Sequence, residues 1–337
     1  MPAPDGLLLI DKPAGLTSFQ TVAIARGALR AARGGAQPRV GHTGTLDPLA
    51  TGLLVLLVGS ATRLSPFLTH LPKSYRWRAR FGIGTDSLDA DGVVSARSAV
   101  TARPEDLAGV LPRHCGVIEQ VPPIYSALKR GGQRLHRLAR AGREVPEPAA
   151  RRVTISRLEL EAVRWGEPPA PGEDAALLAP DGLVYEAELS VDCSGGTYVR
   201  SLTRDLAAAI GTLAHVRSLR RHRVGPFVVD EAMAPERLRD GAALGAALRP
   251  LSEGLPHLPA VCLGRQEALA VRRGAAPEPA WLARLDGPPV ADPRHDRDCF
   301  RLVDEAGALV AVAACPPGSS QPRLLAVFAA REGGDAP

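Results

Sequence analysis

The feature that most constrains the fold is a wholly apolar run, Leu53 to Val58, which directly follows the glycine-punctuated loop Gly41 to Gly52. Consecutive apolar residues bounded by turn-forming residues predict a strand buried on both faces, which would give the loop a rigid base. The loop holds one carboxylate, Asp47, and Pro48 disfavours the right-handed helical conformation for it. An acid on a stiff loop beside a core strand is a candidate for chemistry. The alternative is an Asx turn, in which Asp47 bonds its own backbone.

Composition allows one large domain plus a small one. The chain has 337 residues, is 45% hydrophobic and 23% charged, and carries a formal net charge of +5. This basic balance favours a polyanionic partner only weakly. The cations are nearly all arginine, and the lysines are only Lys12, Lys73 and Lys129. Because lysine and arginine differ in geometry and hydration, these lysines are candidates for roles that arginine does not fill.

Several classes of protein are disfavoured by the sequence. The five cysteines form no Cys-x-x-Cys pair and are odd in number, so we expect neither a disulfide framework nor a zinc site. The first residues show no signal-peptide pattern, and the apolar runs are too short to span a membrane. We therefore expect a cytoplasmic protein that uses no metal.

The segment Lys73 to Phe81 alternates almost perfectly between apolar and basic residues. One face has Tyr75, Trp77, Ala79 and Phe81, and the other has Arg76, Arg78 and Arg80. This pattern predicts a half-buried strand whose arginine face is either solvated or directed at RNA. From the pattern alone, Tyr75 is a core aromatic.

Local signals predict further elements. Thr17 and Gln20 form a capping-box pattern that begins a helix running to about Ala32. A second helix is expected from Val199 to Ile210, with Gly211 ending it. The remaining predictions are a strand at Leu7 to Ile10, an acidic turn at Gly84 to Gly92, a surface loop at Glu167 to Gly182 and an alternating strand at Tyr185 to Cys193.

Two basic segments are predicted to neutralise phosphates. The first lies within an arm of about residues 122–150, and the second is the cluster Arg217, Arg220, Arg221 and Arg223. Arg200 falls in the first turn of a predicted helix, where a cation opposes the helix dipole. This position suggests a specific anionic partner; the alternatives are a solvated residue and a phosphate contact.

The sequence pattern changes from about Pro250 onward. A short helix is predicted at Arg265 to Arg273, with short strands around Phe300 to Cys315 and at Arg323 to Ala329. We predict a domain boundary between residues 235 and 258, giving domains at about 1–240 and 255–332.

Five blocks, in this order, resemble the bacterial tRNA pseudouridine synthase B family. They are Leu9 to Ser18, Gly41 to Gly52, Lys73 to Tyr75 with Gly84 to Asp89, Gln120 to Lys129, and Cys193 to Leu202 with Asp205. The resemblance implies a mixed α/β catalytic domain around an antiparallel-rich sheet and a small, β-rich, PUA-like C-terminal domain. It also implies isomerisation of the uridine at position 55 in the TΨC arm of tRNA by a monomer that uses no cofactor and no guide RNA.

The resemblance assigns roles position by position. Asp47 matches the essential aspartate, Tyr75 the tyrosine that stacks on the target base, and Arg200 the arginine that pairs with the aspartate. Substrate contacts are implied for His42, Lys12, Tyr198, Leu219, Lys129, Arg130 and Arg134. Structural roles near the site are implied for Gly44, Thr45, Asp89 and Asp205.

Other functions stay open at this point. A non-catalytic RNA-binding or tRNA-folding protein could use the same basic surface, and Asp47 would then be dispensable. A guide-RNA-dependent synthase is disfavoured by the bacterial-type basic arm. A glycosidase needs a second acid near Asp47, and Asp89 is the candidate within the motifs.

Overall fold

The structure is a computed structural model, and it describes residues 5–32, 34–35, 37–126, 129–130, 133–134, 148–292, 297–316 and 318–329. Most of the predicted basic arm therefore lies outside the described residues. Its strands are β1 (Gly6–Lys12), β2 (Val40–His42), β3 (Thr51–Val58), β4 (Lys73–Phe81), β5 (Ile83–Thr85), β6 (Val94–Arg97), β7 (Gly116–Gln120), β8 (Lys129–Arg130), β9 (Gln133–Arg134), β10 (Arg151–Glu167), β11 (Val184–Cys193), β12 (Ala214–Val224), β13 (Phe227–Val228), β14 (Ala260–Leu263), β15 (Val290–Asp292), β16 (Arg297–Asp304), β17 (Leu309–Cys315) and β18 (Arg323–Val327).

Helices are fewer than strands in the described part of the chain. They are α1 (Ser18–Ala31), α2 (Ser65–Leu68), α3 (Pro104–Val110), α4 (Val199–Ala209), α5 (Gly241–Ala246) and α6 (Arg265–Arg272). Short 3-10 turns lie at Gly59–Leu64, Leu111–His114, Ala175–Leu177, Val229–Glu231, Pro235–Arg239, Leu251–Gly254 and Pro279–Arg284. Among the described helices, none has the length and apolar content needed to cross a bilayer.

A nine-stranded mixed sheet organises the first two thirds of the chain. Its order is β1-β3-β12-β4-β11-β10-β7, with β2 added on β3 and β13 on β12. The β3–β12 pair is parallel and the other pairs are antiparallel. Strand β12 lies between β3 and β4 and runs parallel to β3, so it brings residues from distant parts of the sequence side by side.

Strand β3 confirms the prediction drawn from the apolar run. Leu54, Leu56 and Val58 enter one hydrophobic cluster, and Leu53, Val55 and Leu57 enter another on the opposite face. Burial on both faces explains why polar residues are missing from the run.

Helix α1 begins as the capping-box pattern predicts. The Thr17 side chain accepts a hydrogen bond from the Gln20 backbone N–H, and the Gln20 side chain accepts one from the Thr17 backbone. The helix ends at Ala31, one residue before the predicted end. The predicted strand Tyr185 to Cys193 and the predicted helix from Val199 are likewise confirmed, as β11 and α4.

Strand β4 shows the predicted alternation with one exception. Arg76 and Arg78 are exposed and pair across strands with Glu188, and Arg76 also reaches Glu161. The solvated interpretation of these two arginines is therefore favoured over an RNA-facing one.

Arg80 contradicts the prediction that it shares this exposed face. It is 1% exposed, and its guanidinium contacts Glu173 at 2.6 Å and Glu186 at 2.8 Å. The predicted surface loop after β10 supplies Glu173 and folds over Arg80, and the Leu177 carbonyl accepts a further hydrogen bond at 2.7 Å. Alternation alone does not reveal this cover because it depends on residues more than 90 positions away.

The C-terminal region is β-rich, and the mixed α/β fold class is confirmed. Its five-stranded sheet has the order β14-β16-β17-β18 with β15 on β16, and the predicted short helix is α6. Val312 and Phe328 of this region share a hydrophobic cluster with Leu7, Leu9 and Val55 of the large sheet. The two sheets are therefore packed together, while the domain limits 1–240 and 255–332 stay a prediction.

Candidate active site

Asp47 lies on the loop between β2 and β3, and several contacts fix the loop. The Thr43 N–H donates to the Val55 carbonyl at 3.2 Å, and the Gly15 N–H donates to the Pro48 carbonyl at 2.8 Å. Ser18 donates its hydroxyl to the Leu46 carbonyl and accepts from the Leu46 N–H. The acid is thus carried by a loop attached to both the sheet and the start of α1.

The Asp47 carboxylate faces Arg200, which lies in the first turn of α4. Arg200 Nε is 2.9 Å from Asp47 Oδ2, and Arg200 Nη2 donates to Asp47 Oδ1 at 2.9 Å. The side chain of Arg200 is 6% exposed and that of Asp47 is 28% exposed. This fork-shaped pairing disfavours the Asx-turn interpretation of Asp47 and the solvated interpretation of Arg200, and it leaves the acid accessible to a ligand.

Arg200 also binds a second, deeper carboxylate. Its Nη1 lies 3.4 Å from Asp89 Oδ2 and donates to the Ser87 carbonyl at 2.8 Å. Asp89 Oδ1 accepts from the Ser87 hydroxyl and the Asp91 N–H. Burial raises the pKa of Asp89, while Ser87 and Arg200 act against this rise. Because both Asp89 oxygens are engaged within the protein, Asp89 holds Arg200 in place, and this weakens a two-acid glycosidase mechanism.

Tyr75 lies on β4 with its ring in the core and its hydroxyl toward Arg221. The residue is 8% exposed and packs in the same hydrophobic cluster as Trp77 and Leu219. Burial raises the pKa of the Tyr75 hydroxyl, and the hydrogen bond and charge of Arg221 oppose that rise. The structure therefore confirms the core ring predicted from the alternation and adds a hydroxyl positioned by Arg221.

Arg221 is a site residue that the sequence analysis missed. It is 1% exposed, and its guanidinium donates to the carbonyls of Leu53 at 2.7 Å, Gly44 at 3.1 Å and Thr45 at 3.4 Å. From the protein interior, Arg221 thus links β3, the Asp47 loop and the Tyr75 hydroxyl. The sequence pattern could have shown that Arg221 points inward, because alternation along β12 places it on the same face as Leu219.

The predicted phosphate-binding cluster on β12 is accordingly wrong for Arg221, since a buried guanidinium cannot reach a phosphate. The other three members are already neutralised by acids. Arg217 pairs with Glu186 at 3.2 Å, Arg220 with Asp11 at 2.7 Å and Arg223 with Asp192 at 3.4 Å.

Two of the three lysines have buried ammonium groups that hold backbone carbonyls. Lys12 donates to the carbonyls of Pro13 at 2.8 Å, Leu16 at 2.6 Å and Pro48 at 3.3 Å. Burial lowers the pKa of Lys12 to about 8, with Asp47 opposing the change. Lys73 holds the carbonyls of Thr69 and Leu71 in the same way. A compact ammonium with three donors suits such pockets better than a planar guanidinium.

The remaining predicted residues are placed as follows. His42 ends β2 and is half-buried, and its Nδ1 accepts from the Gly44 N–H at 3.2 Å. Tyr198 precedes Arg200, and its backbone exchanges two hydrogen bonds with the Gln120 side chain. Asp205 pairs with its neighbour Arg204 and is not joined to Asp47 or Arg200 by a contact among the described residues. The side chains of Lys129, Arg130 and Arg134 lie outside the described structure.

Solved structures with this fold include proteins in multicomponent complexes. The chain is similar to a protein in a structure of an H/ACA RNP bound to a substrate RNA, with a TM-score of 0.67, 20% identity and coverage of 97% of this chain and 86% of that one. A Cbf5-Nop10-Gar1 complex gives a TM-score of 0.67, 22% identity and coverage of 96% and 84%. At these identities the similarity establishes the fold alone.

Sequence comparisons establish the family. The model of the TruB family pseudouridylate synthase N-terminal domain matches residues 32–199, and that of the tRNA pseudouridylate synthase B C-terminal domain matches residues 200–255. The tRNA pseudouridine synthase B of Pseudomonas paraeruginosa is 43% identical over 293 residues, covering 83% of this chain and 88% of the relative. That of Novosphingobium aromaticivorans is 41% identical over 296 residues, covering 85% and 92%. The chain therefore belongs to the TruB family of pseudouridylate synthases, as its sequence blocks indicate.

We expect the substitution Tyr75→Phe to separate stacking from hydroxyl chemistry. The ring and its packing are kept, so tRNA affinity should stay within about twofold, while turnover should fall by about 10²–10⁴-fold if the hydroxyl moves a proton. Tyr185→Phe is the matched control, because Tyr185 is another buried tyrosine whose hydroxyl bonds only Asp181 among the described residues. Single-turnover rates measure the effect, and unchanged turnover in Tyr75→Phe would exclude the hydroxyl.

We expect Arg221→Lys to slow turnover on the order of 10²-fold with little change in tRNA affinity. A lysine keeps the charge but cannot reach three carbonyls on two segments, so the Asp47 loop would shift. Carbonyls left without donors should also lower the free energy of unfolding by about 1–3 kcal/mol. Arg223→Lys, two residues along the same strand and half-exposed, is the control. Wild-type turnover in a folded Arg221→Lys protein would show that the loop does not depend on this anchor.

Proposed function

We propose that this protein isomerises uridine to pseudouridine at position 55 in the TΨC arm of tRNA, with Asp47 as the essential acid. The observation that carries the proposal is the fork-shaped ion pair between Asp47 and Arg200. It joins two of the family's sequence blocks through residues 153 positions apart, at a carboxylate that stays partly accessible. Curated relatives over most of the chain are named tRNA pseudouridine synthase B.

The reaction breaks the bond from uracil N1 to ribose C1′ and forms a bond from uracil C5 to the same C1′. The proton on C5 is lost to solvent and N1 gains one, so the change is a redox-neutral isomerisation that calls for no cofactor. Asp47 acts either as the nucleophile toward the ribose or as a base at the ribose. In both routes an ionised Asp47 is required, and Arg200 holds the carboxylate in one orientation.

The target nucleotide must first leave its stack, which costs a few kcal/mol. We propose that the Tyr75 ring repays part of this cost, since stacking a base on an aromatic side chain contributes about 1–3 kcal/mol. Leu219 lies beside it on β12, opposite Trp77 of β4, and would form the apolar wall of the pocket. His42 and Tyr198 flank the Asp47 loop and α4, and would contact the extruded nucleotide.

We further propose that the arm at about residues 122–150, including Lys129, Arg130 and Arg134, binds tRNA phosphates. The C-terminal region at about 255–332 would serve as a PUA-like RNA-binding domain. The proposal includes a monomer that acts without guide RNA.

A tritium-release assay tests this function. The purified protein is incubated with unmodified tRNA carrying tritium at C5 of uridine, with a chelator present and no other RNA. Release of tritium to water is the expected result, because C5 loses its hydrogen when it joins the ribose. Tight binding without release would instead favour the non-catalytic tRNA-folding function, and release only after a guide RNA is added would favour a guide-dependent synthase.

A further inference from the structure

A stretch of 35 residues leading into the catalytic loop has no carboxylate. Between Asp11 and Asp47 the chain carries one lysine and four arginines, which gives this segment a formal charge of +5, equal to that of the whole protein. The cations are Lys12, Arg26, Arg30, Arg33 and Arg39. Lys12 is buried beneath the Asp47 loop, so the charge that can meet a ligand is concentrated on and after helix α1.

Helix α1 carries a stripe formed by Phe19, Arg26 and Arg30. These positions are spaced by seven and four residues, so they fall within about 40° of one another around the helix axis. Phe19 is 72% exposed, Arg30 is exposed and Arg26 is half-exposed. The buried face of the helix, which holds Val22, Ala25 and Leu29, lies about a quarter turn away.

Within the part of the chain that the structure describes, the arginines of this stripe differ from those of β12 in lacking a side-chain partner. Across the described residues, neither Arg26 nor Arg30 makes a hydrogen bond or an ion pair with another side chain. Arg217, Arg220 and Arg223 are each paired with an acid. An exposed phenylalanine beside two unpaired guanidiniums offers a stacking face and two phosphate ligands, which is the combination that single-stranded nucleic acid requires.

Hydrogen bonds join the start of helix α1, where the stripe begins, to the loop that carries Asp47. Ser18 next to Phe19 exchanges two hydrogen bonds with Leu46, the residue before Asp47. Lys12 joins the Leu16 carbonyl, just ahead of the helix, to the Pro48 carbonyl. The helix has 14 residues, so the stripe extends about 20 Å from the loop.

We propose that the Phe19–Arg26–Arg30 stripe is a docking surface for the tRNA strand that leads away from the extruded nucleotide. Arg26 and Arg30 bind backbone phosphates, and Phe19 stacks on an exposed base or ribose near the site. This inference rests on the proposed function, because it takes RNA as the occupant. The positive charge of a chain segment that carries no acids favours RNA over a protein partner.

The test compares full-length Arg26→Gln/Arg30→Gln and Phe19→Ala proteins with wild type on an unmodified tRNA transcript. Loss of two phosphate contacts should reduce the slope of log Kd against log salt by about 1.4–1.8 and weaken binding about tenfold at ~0.1 M salt. Phe19→Ala should weaken binding about fivefold or more with the slope unchanged. Turnover at saturating tRNA should stay at the wild-type value in all of these proteins.

The control Arg157→Gln/Arg237→Gln removes the same net charge from two exposed arginines that pair locally with Glu159 and Asp240. It should keep the wild-type salt slope. The inference is overturned if the stripe variants bind tRNA as wild type does, or if the control loses as much as they do. Pseudouridine formation by wild type is measured in parallel, so a failure of the proposed function is recognised separately from a failure of the docking surface.

Discussion

The Asp47→Asn protein is expected to bind tRNA as tightly as wild type and to form pseudouridine at least about 10⁴-fold more slowly. The amide keeps the shape of the side chain and one oxygen that can accept from Arg200, so the loop should stay folded. It removes the negative charge that either route to glycosidic-bond cleavage needs. Single-turnover tritium release and an equilibrium binding titration measure the two quantities on the same tRNA.

Asp91→Asn is the matched control, because Asp91 is exposed and lies two residues from Asp89 near the same site. It should keep wild-type turnover. If Asp47→Asn retained substantial turnover, the assignment of Asp47 would be wrong; if it lost binding and turnover together, the loop would be a binding element and not the chemical centre.

The Arg200→Gln protein is expected to lose turnover far more than affinity and to be less stable. Arg200 offsets two carboxylates, and Asp89 is only 5% exposed, so removing the guanidinium leaves a buried charge uncompensated. Breaking such a buried pair from one side costs about 3–5 kcal/mol of unfolding free energy. Without the two contacts from Arg200, the Asp47 carboxylate is also free to rotate, which should lower turnover by about 10²-fold or more.

Arg200→Lys keeps the measurement informative if the glutamine variant fails to fold. Lysine restores the charge near Asp89 but makes only a point contact, so stability should recover more than turnover. Arg204→Gln, one turn along the same helix and half-exposed, should behave like wild type. A loss of affinity with full turnover in Arg200→Lys would instead favour a phosphate contact for Arg200.

Elements with a local signal could be predicted from sequence. Strand β3 follows from its unbroken apolar run, and strand β4 from the alternation that ends at Phe81. The start of α1 follows from the Thr17–Gln20 capping box. In each case the pattern and the structure lie within the same few residues, so a single segment holds the information.

Features created by distant partners could not be predicted in this way. Arg80 is buried by Glu173, which lies 93 positions away, and Arg221 by carbonyls 168–177 positions away. Arg80 looks like a solvated charge along its own strand. Alternation places Arg221 on the inward face of β12 but does not reveal the carbonyls that it binds. The pairing of Asp47 with Arg200 is equally non-local, and it was anticipated only through resemblance to a family, not through periodicity or spacing.

The most direct test of the central claim is to locate the modified nucleotide. Wild-type protein alone is given two unmodified tRNA transcripts labelled with tritium at C5 of uridine, one natural and one in which uridine 55 is replaced by cytidine. The account predicts one tritium released per natural tRNA and none from the substituted transcript. Equal release from both would show a uridine isomerase that acts elsewhere, and no release from either would contradict the assignment of this site as the catalytic centre.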